Sequence, residues 1–555
     1  MNEEKMELQL LYDRLQLSQL DRQTIEDLWE INNLDSNKKE FCCVLAVLFE
    51  QFSNGSLCLP FGVDNQIRLP QEWHETFAKG EELFVSGYFS GVTAVADGED
   101  TAFLPLVLRT LNNGDKLLYF YRCWKSEDML RQNLKRRLEF VDDNCMQEAC
   151  CPEENGLEVM QKEAVRQVLQ KNFLIVTGGP GTGKTYTAAR MIKKTLRVHP
   201  EWKVALVAPT GKAAKRLEES LAKENLTDMC GQTLHRLLGI TRDSVTAKYN
   251  HDNPLPYDLI LVDEISMIDV HLFSALLDAT AIDTKLILLG DCNQLPSVDA
   301  GAVLADLVQD SKKSAGWISK LAGNVVRLDT TRRTENETMR SIFKKIKDGD
   351  GSVMNDFSTD GKGVVNFVSL PENEKDAFTF LYDFIKKYVE AMSFSPNAES
   401  QNRSKILTVN RSSFWGCKNI NNLAESYFGR QKEGTPIIVT GNLYEQNLFN
   451  GDCGWLEGDK EKKMLVPDKD GISLRLLDGK YETAFAVTVH KSQGSEYQNV
   501  IIILPWEENN ALLSREILYT AVTRAKCKVT IIGRKVVFET ALRQQIFRYS
   551  GLTEE

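Results

Sequence analysis

The sequence predicts an α/β protein with two lobes, each built on a parallel sheet that helices cover on both faces. Apolar runs of four to six residues, each ending in polar or glycine-rich residues, follow residue 155 as NFLIVTGG, KVALVAPT, DLILVDE and TKLILLGD. The same layout recurs after residue 400 as KILTVN, AFAVTVH, NVIIILP and KVTIIG. Continuous apolar runs that alternate with helices are typical of buried parallel strands. At 555 residues the chain is also too long for a single core.

The chain divides into a small N-terminal domain and the two lobes. In residues 1 to about 115, helical periodicity gives way to strand-like pieces such as LFVSGYF and, at the boundary, KLLYFYRCW, which predicts a small α+β domain. Residues 116–154 are interpreted as a linker, 155–335 as lobe 1 and 336–555 as lobe 2. Short strands between Gly, Asp and Asn turns, at about 435–480, predict an all-β insertion in lobe 2.

Composition and charge limit the function classes. Apolar residues make up 42% of the chain and charged residues 26%, as in ordinary globular proteins. We find neither an 18-residue apolar run nor the layout of a signal peptide at MNEEKMELQL, so a cytoplasmic protein without a membrane partner is expected. The net charge of −11 argues against a protein that coats nucleic acid, so any such contact must be a local groove.

The cysteines give one ambiguous signal. Twelve cysteines suit a disulfide framework only in a small secreted chain, which this is not. Cys123, Cys145, Cys150 and Cys151 could suggest a metal or iron–sulfur site. Because adjacent cysteines rarely ligate one metal together and no CxxC pair supports such a site, we interpret these residues as buried or free thiols.

The stretch GGPGTGKT follows the strand NFLIVT and opens the helix TYTAARMIKK, which is the context that a phosphate-binding loop requires. Glycines allow successive backbone N–H groups to turn towards phosphate oxygens, a lysine neutralises the β/γ charge and a threonine hydroxyl can ligate Mg²⁺. The predicted loop comprises Gly178, Gly179, Pro180, Gly181, Thr182, Gly183, Lys184 and Thr185.

The strand DLILV ends in the acidic pair that such a loop needs. Asp263 would hold Mg²⁺ through water, together with Thr185, and Glu264 would polarise the attacking water. An acidic pair after an apolar strand is weak evidence by itself. With a phosphate-binding loop 80 residues earlier, it predicts hydrolysis of ATP with Mg²⁺ as the metal.

Further motifs indicate what the hydrolysis is for. They are, in order, APTGKAAKRL, TLHRLLG, VDEISMID, GDCNQLPSV, LFNGDCGW, TVHKSQGSEY and REILYTAVTRA. With GGPGTGKT, this set resembles superfamily 1 DNA helicases, and within them the RecD branch, to which the alpha subunit of exodeoxyribonuclease V belongs. The resemblance covers about 155–535 and implies two RecA-like lobes with an SH3-like module as the insertion.

The resemblance also implies roles on the nucleotide side. Arg524 would be the arginine finger, Gln294 would sense the γ-phosphate and Gln161 would read adenine. Arg333 is a second candidate for a phosphate-contacting arginine, although Arg332 beside it leaves the register open. The remaining residues expected to face the nucleotide are Tyr186, Gln493, Gly494 and Glu496.

On the other side of the same segment, the resemblance implies a groove for single-stranded DNA. Such a strand is gripped through its backbone and by stacking, not by readout of base edges. The expected contacts are Pro209, Thr210, Lys212, Thr233, His235, Asn450, Thr488 and His490. Residues 240–258 resemble the short hairpin that parts the duplex in this branch, and a plain connecting loop is an equal alternative.

The leading functional hypothesis is an ATP-driven helicase and translocase on single-stranded DNA. By resemblance it moves 5′→3′, binds single-stranded and duplex-end DNA, and is the alpha subunit of exodeoxyribonuclease V. There it would act with the beta and gamma subunits in double-strand break repair by homologous recombination, with the nuclease centre on a partner. The alternatives are a stand-alone helicase of this branch, an ATP-gated clamp that does not translocate, and an RNA helicase.

The N-terminal domain is expected to dock a larger partner. It has no catalytic spacing, and its stretches FCCVLAVLF and SLCLPF are more apolar than so small a unit obviously needs. The alternative is that both stretches form the domain's own core.

Overall fold

The structure is a computed structural model with side chains. It describes residues 3–62, 69–96, 103–140, 154–241, 246–310, 317–329, 336–393, 404–446, 448–458, 462–465 and 471–554. Within these ranges the α-helices are α1 (Glu3–Arg14), α2 (Gln19–Asn32), α3 (Lys38–Ser53), α4 (His74–Val85), α5 (Tyr121–Glu139), α6 (Val159–Gln167), α7 (Lys184–Val198), α8 (Gly211–Ala222), α9 (Leu234–Leu238), α10 (Val270–Ala279), α11 (Val303–Asp310), α12 (Ile318–Leu321), α13 (Glu337–Asp348), α14 (Glu374–Ser393), α15 (Cys417–Phe428), α16 (Arg515–Val522) and α17 (Lys535–Arg543). No helix in these ranges is both long and apolar enough to cross a bilayer.

The strands form four sheets in the described ranges. They are β1 (Cys58–Pro60), β2 (Thr93–Val95), β3 (Leu106–Thr110), β4 (Lys116–Phe120), β5 (Phe173–Gly178), β6 (Val204–Ala208), β7 (Gly231–Thr233), β8 (Leu259–Val262), β9 (Lys285–Gly290), β10 (Val325–Leu328), β11 (Val365–Ser369), β12 (Ser404–Thr408), β13 (Pro436–Val439), β14 (Cys453–Glu457), β15 (Lys463–Leu465), β16 (Ile472–Ser473), β17 (Tyr481–Thr483), β18 (Ala486–Thr488), β19 (Tyr497–Ile503) and β20 (Ala525–Gly533).

Each lobe is built on a parallel sheet, as the apolar runs predict. Lobe 1 has the strand order β10-β5-β9-β8-β6-β7, and every neighbouring pair is parallel. Lobe 2 has the order β11-β20-β19-β12-β18, again all parallel. Strands β5, β6, β8 and β9 are almost entirely buried because helices cover both faces of the sheet. The carboxyl ends of both sheets carry the quoted motifs, so the α/β prediction is confirmed.

The N-terminal domain packs helices α1–α4 on the sheet β1-β4-β3-β2. FCCVLAVLF lies inside α3, where the side chains from Phe41 to Phe49 are at most 9% exposed. SLCLP forms β1 and the turn before it, and is also buried. FCCVLAVLF and Leu59 are therefore this domain's own core, whereas Leu57 and Cys58 pack in the core cluster shared with lobe 1. Both stretches are buried within this chain and give no support to a docking surface. LFV of LFVSGYF ends α4, so the strand-like interpretation of that piece was wrong.

The predicted linker at 116–154 is wrong in its described part. Residues 116–120 are β4, which pairs with both β1 and β3 inside the N-terminal sheet. Helix α5 follows at once and lies on α10 of lobe 1, where Arg137 donates to the carbonyls of Thr280 and Thr284. The chain thus passes from the N-terminal sheet directly onto lobe 1.

The insertion in lobe 2 is an antiparallel sheet with the order β16-β15-β14-β13-β17 around its own small core. It spans β13 to β17, close to the predicted range. An all-β insertion is therefore present, while its likeness to an SH3 module stays a prediction.

In the C-terminal tail (544–554), Gln544 and Ile546 still contact α16 of lobe 2, and the residues after them pack elsewhere. The guanidinium of Arg109 donates to the carbonyls of Gly551 and Glu554, at 2.7 Å each. Glu127 of α5 accepts from the Gly551 backbone N–H at 3.1 Å, and Leu552 is fully buried. The prediction that lobe 2 extends to residue 555 is wrong for this tail, which ties lobe 2 to the N-terminal domain and to α5.

Candidate active site between the two lobes

The phosphate-binding loop connects β5, which ends at Gly178, to α7, which begins at Lys184. Gly181 and Gly183 have φ values of +80° and +81°, a backbone region that side chains disfavour. The Lys184 ammonium donates to the carbonyls of Gly178 and Gly179, at 2.7 and 3.2 Å. The lysine therefore lies over the loop, beside the turned backbone that would bind phosphate oxygens.

The rest of the loop is fixed by local contacts. The Thr182 hydroxyl donates to the Gly179 carbonyl at 2.9 Å and is buried beneath the loop. The Tyr186 hydroxyl accepts from Arg190 at 2.7 Å, and the guanidinium lies 5.0 Å from the ring centre. One side of the cleft is formed by Pro180, Gly181, Gly183, Lys184, Thr185 and Tyr186.

Gln161 lies beneath this loop and is buried. Its side-chain N–H donates to the Thr182 carbonyl at 3.0 Å, and its oxygen accepts from the Glu158 backbone N–H at 3.0 Å. A Cβ on Gly183 would come within 2.7 Å of the same amide nitrogen. The structure therefore shows Gln161 bracing the phosphate-binding loop, and its adenine-reading role stays a prediction.

The acidic pair stands where β8 ends. A carboxylate oxygen of Asp263 accepts from the Glu264 backbone N–H at 2.8 Å. Burial and the Glu264 carboxylate raise the pKa of Asp263 above its usual range, while Lys184 and Arg216 oppose that shift. Glu264 has a φ of +53°, which is strained for a residue with a side chain. Both carboxylates line the same cleft as Lys184.

The residues predicted to hold Mg²⁺ fit that ion. Thr185 and Asp263 both line the cleft and supply hydroxyl and carboxylate oxygens, the hard ligands that Mg²⁺ prefers. Among the described residues, no group of three or more His, Cys, Asp or Glu side chains could form an all-protein cage. Mg²⁺ usually binds through one or two protein ligands, with waters and substrate phosphates completing its shell.

Lobe 2 contributes Arg524, which follows α16 and is 3% exposed. Its guanidinium donates to the side-chain oxygen of Gln294 at 2.8 Å, across the interface between the lobes. Two further hydrogen bonds go to the carbonyls of Thr520 and Ser495, at 3.0 and 3.4 Å. Burial lowers the pKa of Arg524, and the Glu264 carboxylate is the largest charge that opposes the shift. The predicted finger and γ-phosphate sensor are thus in direct contact.

A second contact between the lobes lies beside the first. The Tyr519 hydroxyl of α16 donates to a carboxylate oxygen of Asp291 at 3.2 Å, and Gln294 donates to the same oxygen at 3.3 Å. A Cβ on Gly179 would come within 2.9 Å of the Tyr519 oxygen. The backbone N–H of Leu295 donates to the Thr520 hydroxyl at 3.0 Å. Helix α16 therefore contacts both the phosphate-binding loop and the segment after β9.

The segment TVHKSQGSEY also reaches lobe 1. The Gln493 side chain donates to the Leu295 carbonyl at 3.2 Å. Arg216 of α8 donates to the Gly494 carbonyl at 2.9 Å and forms an ion pair with Glu496. Gly494 and Glu496 line the cleft with Lys184, and their contact with nucleotide stays a prediction.

The threonines predicted to contact DNA share a local role. The Thr210 hydroxyl accepts from the Ala213 backbone N–H and caps α8, and the Thr233 hydroxyl accepts from Arg236 and caps α9. The Thr488 hydroxyl accepts from the Lys491 N–H at 3.2 Å. Capping supplies a partner for backbone groups that a helix start leaves unsatisfied. Each threonine thus has a structural reason for its place, in addition to the predicted contact.

The β insertion touches lobe 1 at the start of α8. The Lys212 ammonium donates to the Gly451 carbonyl at 3.0 Å. The ring of Phe449 lies against Gly211, where an added Cβ would come within 2.1 Å of the ring carbon Cδ1. Asn450, between these contacts, is exposed. The structure therefore brings Lys212 and the loop that carries Asn450 together.

The other predicted DNA contacts differ in exposure. Pro209 follows β6 and is half-buried, and His235 on α9 is exposed. His490 begins a 3₁₀ turn after β18. Burial, with a contribution from the nearby Arg548 charge, lowers the pKa of His490, so its imidazole is neutral at neutral pH.

The structure describes only some of the residues in the predictions for Arg333, for the cysteine group and for 240–258. Arg333 lies outside the described residues, as do Cys145, Cys150 and Cys151, whereas Cys123 is buried. In 240–258, the described residues form no paired strands, and the isolated bridge between Asn250 and Asn253 closes one turn. Tyr249 and Tyr257 pack on the core of lobe 1. The described part of 240–258 thus has one antiparallel bridge and no longer paired strands, and a role of this segment in parting the duplex stays a prediction.

Four residues of the site were not singled out from the sequence. Arg216, Asp291, Phe449 and Tyr519 all stand inside or next to quoted motifs, so the signal was present. Each of them belongs to the site because it contacts the other lobe or the insertion. The spacing of residues along the sequence does not reveal a contact of that kind.

Comparisons with known proteins agree with this geometry. An AAA domain model matches residues 161–300, and a UvrD-like helicase C-terminal domain model matches residues 483–532. The RecBCD enzyme subunit RecD of Haemophilus influenzae is 32% identical over 517 residues, covering 78% of this chain and 79% of the relative. The RecD subunit of Mycobacterium tuberculosis H37Rv is 32% identical and covers 79% and 80%.

More distant similarities exist. The ATP-dependent RecD2 DNA helicase of Deinococcus radiodurans is 29% identical over 414 residues, covering 72% of this chain and 52% of that protein. A solved structure of Pif1 helicases at forked duplex DNA covers 68% of this chain and 92% of that chain, at 16% identity and a TM-score of 0.41.

A nucleotide cleft shared between two RecA-like lobes is the arrangement of superfamily 1 helicase motors, and both matched domain models fall on these lobes. An identity of 32% over about four-fifths of both chains goes beyond a shared fold. The chain belongs to the RecD family.

Proposed function

We propose that this protein is an ATP-dependent DNA helicase that moves along single-stranded DNA by opening and closing the cleft between its lobes. The observation that carries the proposal is the hydrogen bond between Arg524 of lobe 2 and Gln294 of lobe 1. Because the phosphate-binding loop and the arginine belong to different lobes, a complete hydrolytic site requires that the lobes meet. Hydrolysis and relative movement of the lobes are then one process.

The residues of the cleft divide the chemistry between them. Lys184 and the backbone N–H groups of the loop bind the β- and γ-phosphates, and Glu264 orients and activates the attacking water. Arg524 stabilises charge on the transferred phosphoryl group, and Gln294 holds that arginine in place. Bound Mg²⁺, held by Thr185 and Asp263, would neutralise phosphate charge. The strained backbone at Glu264 is consistent with a side chain held for a catalytic task.

One segment would link ATP to DNA. Residues 488–496 begin at Thr488 at the end of β18, on the proposed DNA side, and end at Glu496 in the nucleotide cleft. A shift of lobe 2 on hydrolysis therefore moves both contacts together. We propose 5′→3′ movement and discrimination for DNA over RNA, and both rest on similarity to the RecD family.

We further propose that the chain acts as the RecD subunit of a RecBCD-type enzyme in the bacterial cytoplasm. This chain is 32% identical to two RecD subunits, and each match covers about four-fifths of the subunit. It is 29% identical to the RecD2 helicase, and that match covers 52% of the helicase. Partner subunits would supply the nuclease centre, and the complex would act on duplex ends in recombinational repair. Docking by the N-terminal domain remains part of this proposal, although its apolar stretches no longer support it.

The deciding experiment compares ATP hydrolysis by the full chain alone, with a single-stranded DNA oligonucleotide, and with an RNA oligonucleotide of the same sequence. We expect strong stimulation by DNA and weak stimulation by RNA, together with strand displacement on a DNA duplex that carries a 5′ single-stranded tail. Stimulation without strand displacement or movement would indicate an ATP-gated clamp. Equal or greater stimulation by RNA would indicate an RNA helicase.

A second experiment tests where the nuclease lies. The purified chain should leave a labelled linear duplex intact in Mg²⁺ and ATP, because its best acidic pair, Asp263 and Glu264, serves ATP. Degradation that persists in Lys184→Ala, in a preparation without partner subunits, would reveal a second active site on this chain.

A further inference from the structure

Arg216 is a cleft residue that the predicted chemistry does not use. It lies in the middle of α8 of lobe 1, about one turn after Lys212. One guanidinium N–H donates to the Gly494 carbonyl at 2.9 Å, and the other end forms an ion pair with the Glu496 carboxylate. Both partners belong to lobe 2, so Arg216 crosses the cleft from the side opposite to Arg524.

The charge of one carboxylate of lobe 1 acts on both arginines, which belong to different lobes. Glu264 is the largest charge that raises the pKa of Arg216 and also that of Arg524, against the lowering effect of burial. The charge of Asp263 also raises the pKa of Arg216, and Arg216 lines the same cleft as Asp263 and Lys184. Its guanidinium therefore contacts the Gly494–Glu496 segment of lobe 2 within the cleft that the lobe 1 carboxylates also line.

The carboxylate that Arg216 contacts has a second cation beside it. Lys526 of lobe 2 lies 3.1 Å from the other oxygen of Glu496, so the charge of Glu496 is balanced inside its own lobe as well. Neutralisation of Glu496 therefore does not require Arg216. What Arg216 adds is the connection between lobes, together with the hydrogen bond to Gly494.

Arginine suits this position better than lysine does. Its planar guanidinium presents several N–H donors in a fixed geometry, so a carbonyl and a carboxylate can be held at once. A lysine ammonium is a compact point charge, which could keep the ion pair but not the same two directions. Replacement by lysine should therefore restore only part of the function.

We propose that Arg216 is a positioning residue that closes the ATP cleft: by holding Gly494 and Glu496 against lobe 1, it brings Arg524 to Gln294 and Glu264. This inference rests on the proposed ATP hydrolysis between the lobes. Because the phosphate-binding loop is complete within lobe 1, loss of Arg216 leaves ATP binding largely intact. The catalytic step suffers because the arginine of lobe 2 no longer reaches its place.

The test measures kcat and KM for ATP on the full chain with saturating single-stranded DNA, and nucleotide affinity with a fluorescent ATP analogue. Arg216→Ala should lower kcat by about 10- to 100-fold, as for a lost transition-state contact, with nucleotide affinity changed less than about threefold. Arg216→Lys should recover part of the loss. The matched control, Lys526→Ala, removes the other cation from Glu496 and should change kcat by less than about twofold.

Exchanging the charges of Arg216 and Glu496 tests whether the pairing of these two side chains determines kcat. Glu496→Arg alone should be impaired, and the pair Arg216→Glu with Glu496→Arg should have a higher kcat than Arg216→Glu alone. Thermal denaturation identifies any variant that fails to fold. If Arg216→Ala does not fold, the kcat of Arg216→Lys tests the proposal in its place.

Three results would overturn the proposal. The first is an unchanged kcat in Arg216→Ala. The second is a proportional loss of nucleotide affinity and kcat, which would make Arg216 a direct ligand of ATP. The third is a loss of kcat in Lys526→Ala equal to that in Arg216→Ala, which would mean that hydrolysis requires only that the charge of Glu496 is neutralised. A wild-type chain that does not hydrolyse ATP would instead refute the proposed function itself.

Discussion

The two faces of the cleft are built from different chemistry. On the nucleotide face, the groups are charged: Arg524 is 3% exposed, and the half-buried Asp263, Glu264 and Lys184 line the same cleft. On the proposed DNA face, most groups are neutral, and Thr210 and Thr233 also cap helices. Lys212 is the charged residue among the predicted DNA contacts.

This difference reflects what each face must do. Hydrolysis develops charge at fixed points, so fixed charges in a water-poor cleft act strongly on it. A motor must grip every sequence equally and release it at each step, so backbone contacts and stacking suffice. A protein with a net charge of −11 can therefore bind DNA through a local groove.

The largest expected effect is on the nucleotide face. Lys184→Ala should reduce ATP hydrolysis to the background of the assay, because the β/γ-phosphates lose their cation and the transition state loses its stabilisation. Steady-state hydrolysis with DNA is the measurement. Lys193→Ala, on the same helix and paired with Glu224 at the surface, is the control and should behave as wild type. Activity within about tenfold of wild type in Lys184→Ala would refute the assignment of the loop.

The second effect tests whether the nucleotide face needs lobe 2. Arg524→Ala should lower kcat by about 10³-fold while nucleotide affinity stays near that of wild type, as for other arginine fingers. Lys528→Ala, on β20 of the same lobe, is the control. Because Arg524 makes three buried hydrogen bonds, thermal denaturation of the variant must be measured as well. An unchanged kcat would remove lobe 2 from the active site.

The third effect should separate the two faces. His490→Ala should lower DNA-stimulated hydrolysis about tenfold, about 1.4 kcal/mol, and leave basal hydrolysis nearly unchanged. His199→Ala, where the ring stacks on Trp202 away from the cleft, is the control. A greater loss of basal than of stimulated hydrolysis would place His490 on the nucleotide side.

The shifted pKa of His490 has its own consequence. Because its folded-state pKa lies below the ordinary value, the unfolded chain binds the proton more readily. The stability contributed by the neutral imidazole is present above about pH 6.5 and falls as the pH drops through the folded-state pKa. His490→Ala should therefore weaken the dependence of the melting temperature on pH in that window.

The sequence predicts the nucleotide face well because its chemistry restricts residue type and spacing together. The eight apolar runs named from the sequence all contain strands of the two sheets, and the phosphate-binding loop and the acidic pair follow β5 and β8. Local signals of this kind need only a few neighbouring residues. The all-β insertion was found for the same reason.

Contacts between distant parts of the chain could not be predicted. Arg109 and Gly551 are 442 residues apart, and nothing in either neighbourhood announces the hydrogen bond that joins them. The supposed linker failed for a related reason: KLLYF is strand-like in its own residues, but its pairing with β1 and β3, which places it in the N-terminal sheet, is a contact between distant residues. Arg216 and Phe449 likewise depend on what faces them in the other lobe.

The smallest expected effect is on the DNA face, at Gly211. A methyl group there would meet the Phe449 ring at 2.1 to 2.3 Å, so Gly211→Ala must push the insertion loop away from α8. The hydrogen bond from Lys212 to Gly451 should weaken with it. We expect the affinity for single-stranded DNA to change about threefold, under 1 kcal/mol, with basal hydrolysis unchanged. Gly351→Ala, where nothing lies within 4 Å, is the control.

A second substitution shows whether the clash is the cause. Phe449→Ala removes the ring that the new methyl group would meet, so Gly211→Ala should have little further effect in that background. The two changes would then be strongly non-additive, which locates the effect at the contact between the insertion and lobe 1. If instead Gly211→Ala changes DNA affinity equally with and without Phe449, the methyl group acts on α8 itself. The DNA face would then be formed by lobe 1 without the insertion, and its neutral residues alone would have to hold the strand.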